Sequence, residues 1–366
     1  LALEKISKET LNFYAPRFEV EIQDKKLAAN ISKQILNVEI DEKIDLGATF
    51  KFTMNDEFDL ETQEFKWLDH PLFKEGNTVT IKMGYGANLN TMIMGKITKI
   101  EPSFFSGEIP TLTISGHDLS YDYLKKERSG ERTFVDKRYS DMARTIASEA
   151  GLLAVVDETG KSEPIVYRKD SDVSYYAFLE EIKTKAGCYQ FDVDGKTMYF
   201  IKPGDDRKEI LTLELKKDII SFSPTIKTTE LVTEVEVRGH NPKDPKTPII
   251  GRAILGSEKI QEPGKKTGSQ IAKERYGSVK RVITNVVVTS KEHADAIAKC
   301  ELNKASDSLI EGDGECIGIP QLRKGVNIRL EKMGVRFSGK YYVKRTTHTL
   351  NDSGYRTSFT VKRNAI

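Results

Sequence analysis

Five histidines, His70, His117, His240, His293 and His348, stand singly in the chain. There is no HExxH and no pair at i and i+4, so their spacing gives no local support for a metal site. His117 and Asp118 are adjacent, but neighbours on an extended strand point to opposite faces and would act together only across a turn. Cys188, Cys300 and Cys316 are odd in number, far apart and without a CxxC pair. Reduced thiols are therefore the expectation. Gly251 and Gly256 have the spacing of a phosphate loop, but Ser257 and Glu258 follow where a lysine and a hydroxyl residue are required. The run GKKTGS at 264–269 has its residues in the wrong order and reads as a surface loop. Asp192, Asp194 and Gly195 lack the remaining ligand positions of a calcium loop and read as a tight hairpin turn. The acidic run EGDGEC at 311–316 reads as a flexible turn with room for weak cation binding. No GxSxG elbow occurs, and among so many acidic residues a pair such as Glu180 and Glu181 singles out no glycosidase. These residues nominate no catalytic group, no cofactor and no metal ligand, and the expectation is a protein that is not an enzyme.

Elements to position such residues are nevertheless legible. Phe18, Val20 and Ile22, then Ala48, Phe50, Phe52 and Met54, then Val79, Ile81, Met83 and Tyr85 alternate with polar residues, and Leu112 and Ile114 follow before Gly116. Residues 10–120 read as one β domain of half-buried strands. Ala143, Ile146, Ala147 and Ala150 share a helical face behind an N-cap at Ser140, and Tyr175, Phe178, Leu179, Ile182 and Ala186 share another that stops at Gly187. With the hairpin that follows, 121–207 form a helix–helix–hairpin α+β domain. Strand patterns return at 208–240, the segment NPKDPKTP reads as a linker or excursion, and one helix follows a capping box of Thr289 and Glu292 within an insertion at 241–320. Strand patterns then run through 321–366.

An internal repeat organises the two β regions. EGNTVTIKMGYG, MGKITKI and TLTISG match KGVNIRLEKMG, SGKYYVKR and SFTVKRN, pairing Gly76 with Gly325, Gly84 with Gly334 and Gly95 with Gly339. ILNVEI matches IISFSP, and ATFKFTMND matches VTEVEVRGHN. The second copy is then discontinuous, at 208–240 and 321–366. The 366 residues carry 57 Lys+Arg against 55 Asp+Glu, a net charge of +2. Basic pairs such as Lys216-Lys217 and Arg323-Lys324 read as solvated faces and make no field for nucleic acid. No apolar run spans a bilayer and no secretory signal opens the chain, which points to a cytoplasmic site of folding.

The C-terminal residues GVNIRLEKMGVRFSGKYYVKRTTHTLNDSGYRTSFTVKRN resemble the late control protein D family, the baseplate hub of contractile-tailed phages. The resemblance is carried by Gly325, by Gly339 to Val343 with Tyr341, by His348, and by Gly354 and Tyr355 leading into Phe359. VSYYAFLEEIKTKAGCYQFDVDGKTMYF and VEVRGHNPKD extend it, and the family includes the corresponding part of type VI secretion spike proteins. The resemblance implies a fold of two related tube-like antiparallel β-barrel domains, a central α/β domain and a helix-containing insertion. It also implies a homotrimer that adapts a sixfold tail tube to a threefold spike. The implied partners are the tube or a tube initiator, a separate trimeric spike protein and other baseplate proteins, because the chain ends at Ile366 after the second β pattern. Such a hub is assembled in the bacterial cytoplasm and resides in the baseplate of the particle. Gly76, Gly95, Gly325, Gly339 and Gly354, with Tyr341 and Tyr355, are the expected structural positions. Two other classes compete: a cell-wall glycan hydrolase built on the acidic residues of the central domain, and a carbohydrate- or receptor-binding module using Trp67, Phe104 and Phe105 as stacking platforms.

Overall fold

A computed structural model describes residues 15–126, 130–160, 166–204, 207–241, 244–284, 286–288 and 290–366. Unit 1 runs through β1 (Pro16–Ile22), β2 (Ile35–Lys43), β3 (Leu46–Asn55), β4 (Thr78–Tyr85), β5 (Asn88–Ser103) and β6 (Thr111–Asp118). Alternation decides its faces. Phe50, Phe52 and Met54 of β3 and Val79, Ile81 and Met83 of β4 are buried in one core, while the threonines and lysines between them face outward.

The middle module has its own core. It holds β7 (Arg132–Val135), α1 (Tyr139–Glu149), β8 (Leu153–Val156), β9 (Val166–Lys169), α2 (Tyr175–Ala186), β10 (Gln190–Asp194) and β11 (Thr197–Ile201). Helix α1 starts earlier than its sequence suggests: Arg138 is the N-cap and Ser140 is already in the first turn. Helix α2 is capped by the Ser174 hydroxyl and ends at Gly187, whose φ is +101°. Strands β10 and β11 form the hairpin around Asp194-Gly195.

Unit 2 opens with β12 (Leu211–Glu214) and β13 (Ile219–Ile226) and is then interrupted. The insertion comprises β14 (Glu234–Asn241), β15 (Asp244–Ile254), α3 (Gly268–Tyr276), β16 (Lys280–Ile283) and α4 (Lys291–Asp307). Unit 2 resumes with β17 (Ile310–Ile317), β18 (Asn327–Glu331), β19 (Gly339–Asn351) and β20 (Gly354–Arg363). Several expectations change here. VTEVEVRGHN does not belong to the large sheet, because β14 pairs with β15 and β16 in a sheet of their own under α4. Within NPKDPKTP, Asp244 to Pro248 belong to β15 and Asn241 lies opposite Asp244, while Pro242 and Lys243 lie outside the described residues. Among the described residues the insertion has two helices of more than one turn. Helix α3 begins inside the GKKTGS run with a capping box between Thr267 and Gln270, the signal that marks it in the sequence. Helix α4 is capped by Ser290, and Thr289 lies outside the described residues. EGDGEC is a ladder strand, paired on both sides by β13 and β20.

The duplication is plainest in the pairing. Unit 1 has the strand order β2-β3-β6-β5-β4-β1, and unit 2 has β13-β17-β20-β19-β18-β12. Each therefore runs second, third, sixth, fifth, fourth, first along its own chain, so the partner of β3 is β17. Bulges recur at equivalent places, between Ile35 and Asn37 and between Ile219 and Ser221, and again between Ile97 and Lys99 and between Val343 and Arg345. Gly76 and Gly325 are equivalent: both have positive φ, and their N–H groups donate to Ile97 O and Val343 O. The other two glycine matches slip. By the same register Gly84 corresponds to Met333 and Gly95 to Tyr341, one residue before Gly334 and two past Gly339. One difference of direction remains, since β1 runs antiparallel to β4 whereas β12 runs parallel to β18.

Among the described residues the ladder does not close on each unit. Strand β2 pairs with β19, and the twelve strands of the two units, with the two-residue strand Lys25–Lys26 beside β1, form one 13-stranded sheet. Cys188, just past α2, is disulfide-bonded to Cys300 of α4, which ties the middle module to the insertion; this replaces the reduced pair expected from spacing. Cys316 is free and buried.

Candidate functional site

Every strand of the sheet has a polar face, and the β2–β19 seam decides how the two faces join. The register runs from Lys43 opposite Arg345 to Asn37 opposite Asn351. On the inner side Glu42, 2 % exposed, accepts both arms of the Arg323 guanidinium, and Thr346 Oγ1 donates to it at 3.3 Å. Arg323 also donates to Met92 O of unit 1 at 2.9 Å. Two rungs along, buried His348 joins Leu322 O through Nε2 at 3.0 Å, while Nδ1 lies 2.9 Å from the Tyr355 hydroxyl and 3.1 Å from Thr357 Oγ1. Donation from Nε2 to the carbonyl leaves Nδ1 as the acceptor of the hydroxyls. Burial, and then the nearby Arg323 charge, push the imidazole down to about 3, so it is neutral and both nitrogens are committed. The Tyr85 ring lies 5.7 Å from that of Tyr355, and its hydroxyl donates to Gly318 O at 2.8 Å. This constellation fastens unit 1 to unit 2.

A cavity of about 260 Å³ lies where the units meet the β10–β11 hairpin, lined by Asp118, Asp192, Asp194, Arg207 and Lys324 among others. Within it Lys324 Nζ is 2.7 Å from Asp192, and Asp118 accepts from the Ala48 and Ser120 backbone. Burial raises the Asp192 carboxyl to about 6 against the pull of Lys324, and it raises Asp118 as well. The middle module is anchored here, by Tyr176 OH donating to Asp45 O at 2.6 Å, by Lys183 3.2 Å from the Asp45 carboxylate, and by Tyr342 OH donating to Gln190 at 2.9 Å. The cavity is a joint of three modules. Arg323 and Lys324, read in the sequence as a solvated pair, line it as half-buried, ion-paired cations, with side chains 23 % and 7 % exposed.

The outer side of the same sheet is a polar surface running unbroken across the seam. Lys51 lies 3.4 Å from Glu39, Lys99 2.7 Å from Glu101 and Arg345 2.7 Å from Asp41, while Thr360 donates to Asp313 at 2.7 Å. Charges of both signs are paired along and across neighbouring strands, so the face is hydrophilic without a field of one sign.

The seven structural positions have distinct surroundings. At Gly95 an added Cβ would lie 2.1 Å from His117 O, and at Gly339 it would lie 2.4 Å from the Arg363 guanidinium. Gly354 turns β19 into β20 at φ +106°, and Gly76 and Gly325 hold the matched turns before β4 and β18. Tyr341 is buried beneath Arg363 and donates to Phe337 O at 2.8 Å, and Tyr355 belongs to the seam. The rival sites disperse. Glu180 and Glu181 are engaged by Lys183 and Lys185 on α2, and Trp67 is buried, leaving only Phe104 and Phe105 exposed. Among the described residues, no group of three or more His, Cys, Asp or Glu side chains is placed to hold a metal ion. No helix among them is long and apolar enough to cross a membrane.

Residues 15–352 match the family model of the Alg8 N-terminal domain. The chain belongs to that family. No curated protein matches it at the sequence level. The fold of this chain is shared with the 43 kDa tail protein of prophage MuSo2 from Shewanella oneidensis, with 14 % identity, 95 % of this chain and 98 % of that one covered, and a TM-score of 0.69. It is shared also with a tail protein from Neisseria meningitidis MC58, at 11 % identity, 96 % and 97 % coverage and a TM-score of 0.66. A type VI secretion system component of E. coli, structurally similar to tail proteins of bacteriophage T4, aligns at 11 % identity over 93 % of this chain and 76 % of that one, with a TM-score of 0.54. The chain thus has the fold of phage tail and type VI secretion proteins, the group to which its C-terminal motif points.

Proposed function

We propose that the protein is the structural baseplate hub of a contractile phage tail or tail-like injection machine, acting as a homotrimer and not as an enzyme. The observation that carries this is the pair of units with the same strand order fused into one sheet. Three chains would present six such units in a ring, a near-sixfold surface for a sixfold tube above and a threefold one for a separate spike below. The polar face is suited to the lumen side. Its paired charges keep it wetted yet offer no single-sign field to hold a passing polymer. The cross-module ion pairs and the Cys188–Cys300 link would hold the subunit rigid under the load of sheath contraction. The tube, spike and other baseplate proteins are the proposed partners, with assembly in the bacterial cytoplasm and a final place in the particle's baseplate.

Light scattering of the full chain, alone and with a trimeric spike, tests the proposal. Three times the monomer mass is expected, and a monomer under every condition refutes it.

A further inference from the structure

Cys188 and Cys300 come from two modules with separate hydrophobic cores, and neither residue is part of either core. Cys188 follows Gly187 at the end of α2, and Cys300 lies midway along α4. Gly187 sits against α4: a Cβ added there would lie 3.7 Å from Ala296 O, one turn before Cys300. The approach of the two helices is held without the sulfurs. His293 Nε2 donates to Lys185 O at 2.9 Å, and Lys259 Nζ donates to Pro203 O at 2.6 Å. Lys259 N donates in turn to Asn303 Oδ1 of α4 at 2.8 Å. The Cα atoms of the two cysteines stand 5.0 Å apart, within the span of a disulfide.

We infer that Cys188 and Cys300 form a thiol–disulfide switch, open while the subunit assembles and closed as a covalent tie between the middle module and the insertion once the particle meets an oxidising medium. The inference rests on the cytoplasmic assembly proposed above, in a compartment where glutathione and thioredoxin keep thiols reduced. The structure describes the closed form.

Burial sets the order of the exchange. Cys188 is half-buried and Cys300 is 2 % exposed, so a small disulfide such as oxidised glutathione reaches Cys188 first. The Cys188 thiolate attacks one glutathione sulfur, breaks the glutathione S–S bond and expels one glutathione thiolate. Cys300 then loses its proton and attacks the Cys188 sulfur of the mixed disulfide, expelling the second glutathione. Two protein thiols lose two electrons, and one glutathione disulfide takes them up and leaves as two thiols. Cys316 stays out of this chemistry. It is buried in β17 between β13 and β20, and burial pushes its thiol up, away from the reactive thiolate. The Cys188–Cys300 tie joins positions 112 residues apart, so it restricts the unfolded chain far more than it reshapes the native one. Opening it lowers stability and keeps the fold.

Full-length protein made in a reducing bacterial cytoplasm and lysed into urea with N-ethylmaleimide is expected to carry the label on Cys188 and Cys300. Unlabelled native protein treated with oxidised glutathione should lose both thiols, keep Cys316 as a thiol and melt at least about 5 °C higher. Dithiothreitol should restore the lower melting temperature. Cys300→Ser should stop at one glutathione on Cys188, whereas Cys188→Ser should take none, and both should melt as the reduced wild type does. A bridge already closed at lysis, or thiols that oxidised glutathione leaves unbridged, overturns the switch. Glutathione on Cys300 in Cys188→Ser overturns the order of exchange. Light scattering of the same samples keeps the hub reading separate: a monomer whose bridge opens and closes in this way refutes the trimer and leaves the switch standing.

Discussion

Unit 1 places two rings, Phe50 and Phe52, on its third strand, and unit 2 places glycines, Gly312 and Gly314, at the equivalent positions of β17. The space is filled from the neighbours: Phe222 on β13 and Phe359 on β20 stack 6.3 Å apart over those glycines, and a Cβ on Gly314 would lie 2.5 Å from the Phe359 ring. Unit 1 does the reverse, with Gly116 of β6 beneath Phe50. The same strand order is thus kept by conserving volume across the sheet and not by conserving residues at positions. A second contrast lies at the β2 and β13 edges. Strand β2 meets its partner through buried polar groups, Glu42 and His348 among them, which fix a permanent joint. Strand β13 carries half-buried apolar residues at those positions, Phe222, Pro224 and Ile226, packed toward its own unit.

The sharpest way to break this comparison is at Glu42. Glu42→Ala would leave the Arg323 guanidinium buried without its carboxylate and is expected to cost about 3–5 kcal/mol in urea unfolding. Ile226→Ala, its counterpart on the open edge, should cost no more than about 2 kcal/mol in the isolated chain. Equal losses would deny that the two edges differ. Phe52→Ala should also cost about 3–5 kcal/mol by leaving a cavity, whereas Gly314→Phe should cost about 1–3 kcal/mol by overpacking against Phe359. A neutral Gly314→Phe would mean that the volume exchange is not real.

Acid should act on the closed seam. The folded His348 imidazole lies near 3 against about 6.5 unfolded, so its contribution is full above pH 6.5 and falls as the pH drops toward 3, by about 1.4 kcal/mol per unit at most. Asp192, raised to about 6, works in the opposite sense, adding stability as the pH falls through 6 toward its unfolded value. The difference between wild type and His348→Gln in melting scans from pH 7 to pH 4 isolates the imidazole, and a constant difference would refute its buried neutral state. The smallest effect is expected on the outer face, where Lys51→Ala should change stability by about 0.2–1 kcal/mol. A larger loss would mean that the paired charges of the wall are structural.

Much of unit 1 was legible because its strands alternate cleanly and its hairpins are short. Unit 2 was harder to read. Its third strand, carrying Gly312, Asp313 and Gly314, has the composition of a turn and becomes a strand only because β13 and β20 supply the rings and both ladders. The match of ATFKFTMND to VTEVEVRGHN failed for the same reason: alternation marks a strand without saying which sheet it joins. Gly76 and Gly325 could be paired from sequence because a left-handed turn demands glycine in both copies. Glu42, Arg323, Asp192 and Lys324 carried no local signal, since burial of a charge is a property of what surrounds it. The cysteines misled because a disulfide depends on the approach of α2's end to α4, not on spacing.

What the sequence by itself determined was local: where the chain alternates, where it turns helical, where glycine or proline must stand, and that one β pattern occurs twice. Those follow from steric and solvation preferences within a few residues. The tertiary structure alone decided that the two patterns join through β2 and β19 and that their charges pair across the joint. It also decided which edges remain open, because strand partners are chosen by contacts among residues hundreds of positions apart.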